Sequence, residues 1–129
     1  MKLLMVYGTL KRGWGNNRLL EGARFVGDAY SHKSYALANG GFPIAYTKYR
    51  DGFPMLPIKG EIWEVDDNHV ARCDRLEGHP DWYRRNTIKA TVNGDDVETY
   101  IYEMLEQPSR LSICSTLEYN NNKYYYWGE

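Results

Sequence analysis

Along this chain short apolar runs alternate with polar breaks, and most of the runs carry the period of a strand. Residues 2–7 are almost continuous in Leu, Met and Val, the pattern of a short buried strand. Residues 16–21 suit one or two helical turns, stopped by Gly22. Residues 23–38 alternate loosely and are rich in Tyr, Phe and Val, which predicts one long or broken strand ended by Asn39-Gly40-Gly41. Residues 42–46 read as a further short strand; a proline near its start suits an edge. The two prolines and glycine of residues 51–57 mark a loop. Residues 59–65 alternate, Glu61 against Ile62 and Glu64 against Val65, predicting a strand with one wet face.

The period then changes. Asp66-Asp67 supplies an N-cap for a helix over residues 68–76, whose apolar row is Val70, Cys73 and Leu76. Residues 87–92 alternate again and reach Asn93-Gly94, the strongest short hairpin signal, with residues 97–102 as the returning arm. Residues 106–122 are polar and ambiguous, with one helical turn expected around residues 111–117. Residues 123–127, Tyr- and Trp-rich, predict a last strand whose aromatics cover a sheet edge or a partner. Strands outnumber helices and crossover candidates are few. The expected fold is therefore α+β, a small mixed barrel-like sheet with one main helix and short flanking helices, in a single domain over residues 1–129.

Composition narrows the function. Tyrosine is abundant at 12 residues, consistent with many strands. A net charge of −1, with both signs scattered, provides no field for nucleic acid or an anionic membrane. No apolar run approaches the roughly 20 residues of a spanning helix. Residues 3–6 are too short for the core of a secretory signal, so a cytoplasmic protein is expected. Cys73 and Cys114 lack metal spacing and read as buried thiols, and His32, His69 and His79 share no ligand pattern. No metal site is expected.

Three places carry candidate chemistry. In Tyr7-Gly8-Thr9-Leu10 a buried strand stops abruptly. Its consecutive N–H groups suit a carboxylate or an oxyanion, and Gly8 has no Cβ to block a ligand. An ordinary strand-to-loop turn has the same composition. Lys11, Arg12 and Arg18, just beyond, read as a solvated rim. Next, Glu77 lies four residues after Cys73 and seven after Val70, on the face that should meet the core, with Gly78 at the C-cap and Pro80 beyond. Lost hydration and the negative helix end would both raise its pKa toward about 6–7, where a carboxylate exchanges protons at neutral pH. A surface glutamate paired with Arg75 or Arg84 is the competing reading. Last, Phe42-Pro43 is either an apolar wall for a small ligand or simply a strand start.

Taken together, Tyr7-Gly8-Thr9-Leu10 followed by Lys11-Arg12-Gly13, and Glu77-Gly78 with Pro80, Tyr83 and Arg85, resemble the γ-glutamylcyclotransferase superfamily, nearest its γ-glutamylamine cyclotransferase and AIG2-like branch. Phe42-Pro43, Gly60-Glu61 and Tyr100-Ile101-Tyr102 add to the likeness, which spans about residues 1–102. The resemblance implies the γ-glutamylcyclotransferase-like fold and a cofactor-free reaction. The α-amino group of a small γ-glutamyl substrate attacks its own γ-carbonyl, closing 5-oxoproline and expelling an amine. Glu77 would be the base and then the acid. Tyr7, Gly8, Thr9 and Leu10 would hold the glutamyl unit. Tyr83, Phe42 and Pro43 would line the pocket, and Arg85 would anchor a carboxylate or brace the loop. A binding module that has kept the cleft, or an amidase using water, are the alternatives.

Overall fold

The computed structural model describes residues 1–108 and 111–128. Five strands close into a barrel in the order β1 (Lys2–Val6), β5 (Lys59–Val65), β2 (Arg24–Ser31), β6 (Arg84–Val92) and β7 (Asp95–Glu103). β1 is the keystone. It runs antiparallel to β5, with Leu4 opposite Trp63, and parallel to β7, with Leu4 opposite Tyr100. Covered on both sides, it needs the uninterrupted apolar run seen in the sequence.

Alternation along β1 feeds two cores. Met5 and Tyr7 join a cluster drawing on all five barrel strands, including Ala29, Ile62, Ile88 and Ile101. Leu4 and Val6 face the other way, toward Val70 and Cys73 of the one α-helix among the described residues, α1 (Asp67–Glu77). A 3-10 segment, Gly15–Leu20, lies where helical turns are expected. Outside the barrel, β4 (Pro43–Tyr46), β3 (Ala36–Asn39) and β8 (Ser112–Ile113) form a three-stranded sheet, and β9 (Ser115–Tyr119) pairs with β10 (Asn122–Tyr126).

The hairpin at Asn93-Gly94 forms as expected, with φ of 53° and 82° at the two turn residues, the positive pair that a tight two-residue turn requires. The apolar stretch 23–38 is broken rather than continuous. At its break the Ser31 hydroxyl accepts the Ile58 N–H and donates to the Lys33 carbonyl, both at 2.8 Å, and Tyr35 then bridges to Leu56. The tyrosine-rich end packs onto β2, where Tyr30 stacks on Tyr119 with ring centroids 4.7 Å apart.

Three expectations are corrected. Residues 111–117 are strand, not helical turn: Ser112 and Ile113 pair with Asn39 and Ala38, and Cys114 donates to the Leu37 carbonyl. The open edge of β3 outweighs a weak local helical pattern. Residues 109–110 of the ambiguous stretch lie outside the described residues. The strand at residues 59–65 is covered on both faces, because Glu61 is buried against the loop that follows β1. Lys11 is likewise not part of a solvated rim, whereas Arg12 stays exposed. Lys11 is buried and donates to the Trp127 carbonyl, while Arg12 lies 3.8 Å over the Phe25 ring and pairs with Glu61.

Candidate active site

The helix that delivers Glu77 is anchored at both ends. At its start the Asp66 carboxylate accepts the His69 N–H at 2.9 Å, and His69 Nδ1 accepts the Asp66 N–H at 3.1 Å. Since Nδ1 accepts, Nε2 carries the proton and donates to the Glu21 carbonyl at 2.8 Å. The histidine is thus a structural splice between the helix and the 3-10 segment.

At its end, His79 N–H reaches the Asp74 carbonyl and Gly78 N–H the Arg75 carbonyl, at 3.0 and 3.3 Å. That is a Schellman closure, and it needs the left-handed φ of 67° that Gly78 adopts. The chain then curls back. Trp82 N–H donates to the Gly78 carbonyl and Tyr83 N–H to the Glu77 carbonyl, at 2.8 and 3.1 Å. Tyr83 is buried, and its hydroxyl donates to the Pro43 carbonyl at 3.0 Å.

Opposite lies the loop after β1. The Tyr7 hydroxyl donates to the Tyr102 carbonyl at 2.6 Å. Gly8 sits so close to the Pro43 ring that a Cβ would fall 2.7 Å from Cγ, so glycine here serves close packing. The loop's carbonyls are occupied: Gly8 by Lys11 N–H, Thr9 by Asn16 N–H and Leu10 by the Asn17 amide. Arg12 pins the far end, its N–H and Nε donating to Glu61 at 2.9 and 3.3 Å. Among the described residues, none of the hydrogen bonds uses the N–H of Gly8, Thr9 or Leu10. Three neighbouring donors are therefore open.

Both parts meet in a cavity of about 230 Å³. Eight of the nine expected site residues line it: Tyr7, Gly8, Thr9, Leu10, Phe42, Pro43, Glu77 and Tyr83. Glu77 is half-buried and, among the described residues, has no hydrogen-bond or ion-pair partner; neither Arg75 nor Arg84 approaches it. Burial pushes its carboxyl up to about 7. Burial, reinforced by the Glu77 charge, also pushes up the Tyr83 phenol, and burial followed by the Tyr83 and Glu77 charges does so for Tyr7. Both phenols remain protonated donors at neutral pH. Burial above all keeps the neighbouring Cys73 thiol protonated, up to about 12.

Arg85 is the exception. It does not line the cavity; its Nε and Nη2 hold Asp74 at 3.0 and 3.2 Å, and its guanidinium lies 4.6 Å over the Tyr100 ring. Asp74 also accepts the Tyr102 hydroxyl at 2.6 Å. Arg85 thus ties helix to barrel, the bracing role rather than the anchoring one. Lining residues that sequence reasoning missed include Asn16, Leu76, Trp82 and Tyr102. Trp82 lay inside a recognised motif, and Leu76 next to Glu77 in the helix row. Tyr102 lay in the Tyr100-Ile101-Tyr102 stretch of the family likeness but with no sign that it would reach the cavity, and Asn16 carries no local signal, since folding alone brings both here. Among the described residues no three His, Cys, Asp or Glu side chains converge as a metal site would require.

The arrangement is a carboxyl pushed up to about 7 by burial and unpaired among the described residues, sharing a small apolar cavity with three residues whose backbone N–H groups are open. It suits proton transfer beside a developing anion.

Known proteins share the sequence and the fold of this chain. A relative from Methanocaldococcus jannaschii, provisionally named a gamma-glutamylcyclotransferase, is 32% identical, covering 79% of this chain and 83% of its own. The gamma-glutamylaminecyclotransferase of Bos taurus is 31% identical over 81% of this chain and 67% of its own. The crystal structure of an AIG2-like protein from Mus musculus superposes with a TM-score of 0.72 at 26% identity, over 95% of this chain and 87% of that one. The sequence profile named "Gamma-glutamyl cyclotransferase, AIG2-like" matches residues 4–121, nearly the whole chain. The chain belongs to the gamma-glutamyl cyclotransferase, AIG2-like family.

Proposed function

We propose that this protein converts a γ-glutamyl amine or γ-glutamyl amino acid to 5-oxoproline and a free amine, with Glu77 carrying the protons. The observation that supports this most is the Glu77 carboxyl itself. It is short of water, free of any partner among the described residues, and in one cavity with the open N–H groups of Gly8, Thr9 and Leu10.

The substrate's α-ammonium cannot attack until it loses a proton, and Glu77 takes it. The neutral amine then attacks the γ-carbonyl, forming the ring C–N bond. As the C–N bond to the departing group breaks, Glu77 returns a proton to that nitrogen. Two protons leave the α-nitrogen in all and two arrive on the departing one, so the reaction balances without water. The open N–H groups hold the substrate's anionic oxygens, including charge that gathers on the γ-oxygen. Tyr83, Phe42 and Pro43 keep the glutamyl chain folded, supplying in advance the entropy of ring closure. Apolar walls hold water away from the carbonyl and favour the internal nucleophile. Two buried, unpaired thiols suit a reducing compartment, and we place the activity in the cytoplasm.

The test is incubation with a panel of γ-glutamyl compounds, with products weighed by mass spectrometry. Release of 5-oxoproline is expected, and Glu77→Gln, folded as wild type, should lower it by about 10²–10⁴-fold. Glutamate as the product would instead mean hydrolysis by the same carboxylate. Binding without turnover would mean a ligand-binding module.

A further inference from the structure

A second cavity, of about 360 Å³, lies on the outer face of the barrel and shares no lining residue with the candidate active site. Its floor follows from strand alternation. Lys59 and Glu61 stand on one face of β5, with Asp28 of β2 opposite Glu61, while Ile62 turns inward to the barrel core. The loop after β1 supplies Lys11 and Arg12 as one wall, and the hairpin of β9 and β10 supplies Leu117 and Tyr126 as the other.

The charges around this recess are unevenly answered. Glu61 accepts from Arg12 N–H, Arg12 Nε and Trp63 Nε1, at 2.9, 3.3 and 3.2 Å. Asp28 lies 3.9 Å from the Arg12 guanidinium, and Lys11 Nζ donates to the Trp127 carbonyl at 2.6 Å. Lys59 is half-buried and, among the described residues, has no hydrogen-bond or ion-pair partner. Nor, among those residues, do the Tyr126 hydroxyl and the two terminal nitrogens of Arg12 make a hydrogen bond. The lining residues carry one more cation than carboxylates.

A single lysine at a surface is ordinary. Here an ammonium, a guanidinium edge and a phenol, all with donors to spare, line one recess whose remaining wall is apolar. Convergent polar groups beside an apolar wall are the pattern of a small-molecule site. The spare donors suit an anion, held by charge-assisted hydrogen bonds. The two carboxylates decide which anion. A phosphate dianion would be repelled by Asp28 and Glu61 at close range, whereas one carboxylate answers the single excess charge.

We propose that this recess is a second binding site, for a small organic monocarboxylate whose carboxylate meets Lys59, Arg12 and Tyr126 and whose hydrocarbon part rests on Leu117. It goes beyond the reaction assigned above and does not depend on it.

The experiment titrates the full chain with benzoate, benzamide and inorganic phosphate while its backbone amide NMR signals are followed. Benzoate is expected to saturate in the millimolar range or tighter, moving the amides of Gly60 and Leu117. Benzamide, of the same shape but uncharged, and phosphate should each bind at least about tenfold more weakly. Lys59→Met, which keeps the apolar stem and removes the charge, should weaken benzoate binding by about tenfold or more, and Tyr126→Phe by about threefold. Either variant carries the test if the other misfolds. Benzoate shifts confined to Gly8, Thr9 and Leu10 would put binding in the candidate active site and overturn the proposal. So would no saturation, equal binding of benzamide, tighter binding of phosphate, or an affinity unmoved by both substitutions.

Discussion

At the residue scale, Glu77 is an instability the fold tolerates. Its folded-state pKa of about 7 lies above the ordinary 4.5, so the native state holds the proton more tightly than the unfolded chain. Below about pH 4 the carboxyl is neutral in both states and the stabilising contribution is whole. It is lost as pH rises toward and through about 7, where the unfolded chain ionises first and the folded one must then carry a dehydrated charge. Glu77→Gln, neutral throughout, should therefore be more stable than wild type at pH 8, by up to about 3 kcal/mol, and nearly equal to it at pH 4. Urea denaturation at the two pH values checks this; equal differences at both would mean that Glu77 is not desolvated. This residue was legible because helical spacing alone put it on the row of Val70 and Cys73. Arg85 was not. Its partner Asp74 comes within reach only after the turn at Gly78 lays β6 beside the helix.

At the scale of elements, the site is one strand end facing one helix end. The strand end is held open by what surrounds it: Arg12 grips Glu61, Asn16 and Asn17 grip the loop's side chains and carbonyls, and Pro43 fills the space a Gly8 side chain would take. Gly8→Ala should push the loop off Pro43, at a stability cost of about 1–3 kcal/mol. It should raise KM for the γ-glutamyl substrate, as the three N–H groups lose their common aim. Unchanged KM in this variant would remove the loop from the binding account. Elements with strong local chemistry were legible, such as the Asn93-Gly94 hairpin and the Asp66 and Gly78 caps. β8 was not, because Ser112 and Ile113 are extended to satisfy the distant edge of β3. β9 was missed although it pairs locally with β10 across the two-residue turn Asn120-Asn121, whose φ values are 51° and 64°.

At the scale of the whole molecule, barrel closure sets the distance between those two ends. β1 must sit between β5 and β7 with its final residues at the rim, and the fit is close: a Cβ on Gly60 would stand 2.5 Å from the Val6 carbonyl oxygen. Backbone cannot yield as a side-chain tip can. Gly60→Ala should therefore cost about 3 kcal/mol, near the top of the ordinary range, and reduce activity although Gly60 does not line the cavity. Thermal denaturation checks it, and wild-type stability would show that β1 and β5 can part without harm. Strand content and the mixed barrel with one main helix could be read from periodicity and family likeness. The contributions of Asn16 and Tyr102 could not, since no spacing along the chain encodes neighbours created by closing a sheet.

The account turns on Glu77 acting as a base that is half-titrated near neutrality. The most direct measurement is kcat/KM for 5-oxoproline release as a function of pH. It should fall roughly tenfold per unit below a midpoint near about 7, as the free enzyme's carboxylate is protonated. A profile that stays level between about pH 5 and 8 would contradict it.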